Sequence, residues 1–139
     1  MQTGLTLIEM TVMLMVLLAL VTVLLFGARG WKRGYDRTGC IVMTRCVQVA
    51  VRSYQNINGY SAGGHPDADH GSQDIGLQML SKGYIEQAVF DALSGAKPCP
   101  GGGSYTVAVP DIFPPVGQLY MACSLASLES HTPPSVADW

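Results

Sequence analysis

Nineteen consecutive residues without a charged side chain, MTVMLMVLLALVTVLLFGA at Met10–Ala28, constrain this chain more than any other feature. As a helix the run rises about 28 Å, close to the ~30 Å hydrocarbon core of a bilayer. Leu5, Leu7 and Ile8 extend the apolar character backwards past a single carboxylate, Glu9. The run reads as a membrane span. A secretory signal peptide fits less well: MQTG carries no Lys or Arg, the run exceeds an ordinary h-region, and no A-x-A cleavage site follows.

The 139 residues leave room for this anchor and one domain. A formal net charge of −2 makes no case for nucleic-acid affinity. The charge is unevenly spread, however. Arg29, Lys32, Arg33, Arg37, Arg45 and Arg52 follow the span, whereas most carboxylates lie from Asp67 onward. By the positive-inside tendency those cations hold the C-terminal part in the cytoplasm. The four cysteines point the other way, to an oxidising compartment.

Beyond the span, Cys40, Met43, Val47, Ala50 and Tyr54 recur at helical spacing, with Arg45, Gln48, Arg52 and Gln55 as a polar stripe opposite. Asn58-Gly59 is a stop signal. Gly27, Gly30, Gly34 and Gly39 lie between, each costing a helix about 1 kcal/mol relative to Ala. The expectation is one helix from Leu5 to Ile57 with a weak middle; the alternative is two helices joined by a loop. A Gly/Pro/Asp-rich loop follows at Tyr60–Asp74. IGLQMLSKGYI reads as a short helix stopped at Gly83, and EQAVFDALSGAKP as a helical turn or a packed loop. Ser104–Val109 and Gln118–Leu125 read as two pairing strands, separated by the Pro-rich loop PDIFPPVG. HTPPSVADW reads as irregular coil.

Gly4-Leu5-Thr6-Leu7-Ile8-Glu9 ahead of an apolar run resembles the prepilin cleavage and methylation signal of type IV pilins and pseudopilins. The resemblance implies that a membrane prepilin peptidase cuts after Gly4 and that Leu5 becomes an N-methylated N-terminus. Leu stands where the family more often has Phe, and the family's leader is normally basic, unlike MQTG. Cleavage would create an amine four residues ahead of Glu9, able to reach the carboxylate of a neighbouring subunit. Pairing offsets much of the cost of an ionised carboxylate in hydrocarbon. The family's topology puts the part after the span outside, in agreement with the cysteines. Leu80-x-x-Gly83-Tyr84-Ile85, Cys99-Pro100-x-Gly102-Gly103-x-Tyr105-Thr106, Cys123-Ser124 and His131 look like the C-terminal domain of some pseudopilin-like proteins, whose exported helix carries a Cys where Cys40 stands.

Cys99 opens one strand region and Cys123 lies in the other. A disulfide between them would contribute about 3–4 kcal/mol by loop-closure entropy. Cys40 and Cys46 lie on different sides of a helix and cannot bridge within it. They are expected to be reduced and buried, or one to pair with a neighbouring subunit. Zinc is the competing reading, with Cys99, Cys123, His131 and another Cys as ligands, although no C-x-x-C is present. Asp67, Asp69 and Asp74, in a loop that also holds His65 and His70, invite a calcium reading. An EF-hand fails, because Gln78 stands where the twelfth-position Glu should be. With no G-x-S-x-G, no H-E-x-x-H and no paired carboxylates on a helix face, an enzyme is not expected.

The expectation is thus an α+β, pilin-like chain: leader 1–4, membrane and filament-core helix 5–28, an exported amphipathic continuation 29–58, and a small globular domain 59–139. The resemblance implies a bacterial inner-membrane, single-pass subunit whose C-terminal domain lies in the periplasm or on an extracellular filament. Its partners would be other pilin-like subunits, the prepilin peptidase, and an assembly ATPase with its platform protein. It would need no cofactor. The alternative is a non-polymerising, membrane-anchored binding or metal module.

Overall fold

A computed structural model describes residues 6–69 and 71–139. Gly4 and Leu5, the expected cleavage site and new N-terminus, lie outside the described residues, as does His70. The layout is α+β, with one long helix, two short helices and a two-stranded antiparallel sheet.

Helix α1 runs over Leu7–Asn58, 52 residues, as one element. The two-helix alternative is therefore not found, and Gly27, Gly30, Gly34 and Gly39 all sit inside α1. Chain contacts divide into two compact units, Met1–Tyr35 and Asp36–Trp139. In the first unit every described residue, 6–35, is exposed, with Leu7, Val12, Leu17, Leu24 and Phe26 among the large apolar side chains left open. Its apolar window is long enough to cross a membrane, and none of it is buried. Hydroxyls within it are satisfied locally. Thr11 Oγ1 donates to the Ile8 carbonyl at 2.8 Å and Thr22 Oγ1 to the Ala19 carbonyl at 2.7 Å. A lipid-facing helix needs that local satisfaction, since hydrocarbon offers no partner.

The second unit packs on the rest of α1. Cys40, Thr44, Val47, Val51 and Tyr54 face the core at helical spacing. Only part of the polar stripe faces solvent: Arg45 is exposed and Arg52 half-buried. Gln48 and Gln55 are buried, because one face of α1 also meets the backbone of the loop and strand region beyond residue 110. Gln48 Nε2 donates to the Gln118 carbonyl at 3.0 Å, and its Oε1 accepts from the Tyr120 N–H at 2.9 Å. One side-chain amide thus stands in for a rung of sheet. Arg52 donates to the carbonyls of Pro114 (2.6 Å), Pro115 (2.8 Å) and Trp139 (3.0 Å).

Helix α1 ends at Gly59 (φ 72) and helix α2, Ile75–Ser81, at Gly83 (φ 76), both by the same device. In each, the two residues past the C-cap donate back to carbonyls of the last turn: Gly59 to Asn56 and Tyr60 to Gln55, Gly83 to Leu80 and Tyr84 to Met79. This motif needs a left-handed residue, which glycine supplies without a Cβ penalty. Asp74 caps the start of α2, its Oδ1 accepting from the Leu77 N–H at 3.0 Å. Helix α3 covers Gln87–Leu93, so this segment is a helix rather than a packed loop.

Strands β1 (Tyr105–Val107) and β2 (Met121–Cys123) pair antiparallel, Tyr105 opposite Cys123 and Val107 opposite Met121. They are shorter than the sequence suggested. Pro110 has no N–H to extend the ladder, and Tyr120 gives its N–H to Gln48 instead. Tyr54 anchors the core, edge-on to Tyr84 at 5.1 Å, while Tyr60 stacks on Phe113 at 5.2 Å.

Candidate metal centre

Four side chains from four places in the second unit meet at one point. Cys40 projects from α1, Cys99 from the loop before β1, Cys123 from the end of β2, and His131 from the coil after it. All four are buried, and their ligand atoms lie within 4.8 Å of one another. The Cys99 Sγ is 3.3 Å from His131 Nδ1.

Local structure explains how they arrive there. Cys40 occupies the buried face of α1 one turn ahead of Thr44, whose Oγ1 bonds back to the Cys40 carbonyl at 3.1 Å. The loop Cys99–Gly103 closes on itself, Gly102 N–H donating to the Cys99 carbonyl and Cys99 N–H to the Gly103 carbonyl, both at 2.8 Å. The loop lies tight against the histidine. A Cβ added at Gly101 would sit 2.6 Å from His131 Cε1, and one at Gly103 2.8 Å from Leu125 Cγ. Cys123 is placed by its register opposite Tyr105. A turn then brings His131 back, its N–H and that of Glu129 both donating to the Leu125 carbonyl.

The surroundings fit a ligand set. His131 Nε2 lies 3.5 Å from Glu129 Oε2; the imidazole is 2 % exposed and the carboxylate 57 %. This carboxylate can hold the Nε2 proton and leave Nδ1 facing the sulfurs, the arrangement that orients metal-bound histidines. Burial raises the pKa of Cys40, with Cys99 adding to it, and burial likewise raises Cys123, partly opposed by the Leu125 N–H. Tyr105 is raised by burial and by the neighbouring Cys40. Its hydroxyl is buried beside these thiols and makes no well-formed hydrogen bond.

Cys99 and Cys123 do come together, as their strand positions implied, and no bond joins them in this structure. A third thiol and an imidazole share the same small space. Cys40 is buried as expected, whereas Cys46 is exposed on α1. The loop aspartates are not gathered. Asp74 caps α2, Asp69 faces Lys82 Nζ at 3.5 Å, and Asp67 Oδ2 meets the Tyr60 hydroxyl at 3.4 Å. Among the described residues they form no common cluster. Cys40 is the member of the cluster that the sequence left open as another Cys; its signal was a cysteine on the apolar stripe of a helix, which looks the same as any small core residue.

Glu9 stands apart in the first unit, exposed in the first turn of α1, with no ion-pair partner among the described residues. No protein-family model, no curated protein and no solved structure matches the chain.

Proposed function

We propose that this chain is a pilin-like subunit of a type IV pilus or type II secretion-type filament, held in the bacterial inner membrane until assembly. The observation that carries the reading is the first unit of α1, where large apolar side chains are exposed all round and one carboxylate, Glu9, sits at the front. Such a surface needs lipid or copies of itself. An unpaired carboxylate at that depth needs a cation. The GLTLIE motif supplies the cation once a prepilin peptidase cuts after Gly4. In the filament, apolar helices would replace lipid around one another, and each new Leu5 amine would pair with the Glu9 of a neighbour. An assembly ATPase and platform protein would drive extraction, leaving the second unit in the periplasm or on an extracellular filament.

Intact mass of the membrane-purified chain tests processing: loss of MQTG with one added methyl is expected, and an unprocessed chain sinks the proposal. Glu9→Ala tests assembly, with membrane insertion retained and filament incorporation lost. The Cys/His cluster favours a second reading, a single-pass anchor presenting a metal module. In that case Glu9→Ala would change nothing and no filament would be recovered.

A further inference from the structure

We propose that Cys40, Cys99, Cys123 and His131 bind one structural zinc ion, which ties α1 to the strand pair and to the coil beyond it. The inference does not rest on the filament reading. Zinc takes thiolate and imidazole ligands in a tetrahedron, and sites with four protein ligands and no open position are structural. With Zn–S of about 2.3 Å and Zn–N of about 2.0 Å, neighbouring ligand atoms stand about 3.5–3.8 Å apart. Here they lie within 4.8 Å, so small side-chain rotations suffice to close the tetrahedron. The donor set is too soft for calcium or magnesium, which take oxygen ligands.

A disulfide accounts for the site less well. Any one bond consumes two of the three sulfurs and leaves the third thiol and the imidazole buried. Zinc uses all four ligands. It also explains two neighbours that a disulfide leaves idle. Glu129 is placed to hold the far nitrogen of His131. The Tyr105 hydroxyl, buried beside Cys40 without a well-formed bond, would gain a thiolate acceptor, which takes a hydrogen bond better than a thiol does. Binding exchanges three S–H protons, released to solvent, for one Zn2+; no electron moves.

The test uses the full chain purified in detergent without chelator. Elemental analysis should find one zinc per chain. Replacement by Co2+ should give the thiolate-to-cobalt charge-transfer band and the intense visible absorption of a tetrahedral site. His131→Cys should keep one metal with an altered cobalt spectrum, and His131→Asn should lose it. Glu129→Gln should weaken zinc binding about tenfold or more, read by competition with a chromophoric chelator, with helix content unchanged. Cys46→Ser, at the exposed thiol, should leave zinc content as it was. A metal-free chain that takes up no zinc or cobalt after reduction overturns the proposal. So does wild-type zinc content in His131→Asn, or a different metal at these four residues in the purified chain. If His131→Asn fails to fold, Glu129→Gln and His131→Cys still decide.

Discussion

Replacing Gln48 by Leu isolates the joint between α1 and the strand region. Leu keeps the approximate volume and adds apolar surface, but it cannot replace either hydrogen bond. The Tyr120 N–H is buried, and its acceptor in this structure is Gln48 Oε1 at 2.9 Å. Stranding such a donor costs about 1–3 kcal/mol. The Gln118 carbonyl, bonded to Nε2 at 3.0 Å, belongs to an exposed residue and can turn to water, so its loss costs about 0.5–1.5 kcal/mol. Added apolar burial returns part of this, leaving a net loss of about 1–3 kcal/mol. For a domain near 100 residues, each kcal/mol corresponds to roughly 4–8 °C in Tm. Melting of the full chain in detergent, followed by the near-ultraviolet signal of the Tyr54, Tyr60 and Tyr84 cluster, should therefore fall by at least ~4 °C. Gln48→Glu should also destabilise at neutral pH, since a carboxylate accepts from Tyr120 but cannot donate to Gln118. A Gln48→Leu protein melting within ~1 °C of the parent would refute the assignment of this amide as the joint.

Asp74→Ala removes the N-cap of α2 and should cost about 1 kcal/mol by chemical denaturation, while Asp74→Ser recovers most of it. Gly101→Ala drives a Cβ to 2.6 Å from the His131 ring, so stability should drop by about 1–3 kcal/mol. The same variant should lose zinc in elemental analysis. At Gly30 and Gly34 an added Cβ meets nothing within 4 Å. Alanine at both should therefore stiffen α1, slowing amide exchange across its middle, at a gain of about 1 kcal/mol per site. Unchanged exchange there would contradict the view of these glycines as the weak point of the helix.

The features readable from the chain were those that depend on neighbours in sequence. An apolar run of bilayer length, a helix carried through four glycines, glycine stops at Gly59 and Gly83, and the antiparallel pair around Tyr105 and Cys123 all follow from local periodicity and turn chemistry. Glu9 is of the same kind: one charge before an apolar run is visible without any structure. Tertiary structure decided what periodicity leaves open, namely which partner each buried polar or sulfur atom finds. Gln48 and Gln55 look like a solvent stripe until an irregular backbone that needs hydrogen bonds is laid against them. Cys99 and Cys123 read from spacing as a pair, and only the fold shows that Cys40 and His131 join them from opposite ends of the unit. Residues distant in the chain carry no mutual spacing rule, so only the packing of α1 against the sheet could bring three thiols and an imidazole together.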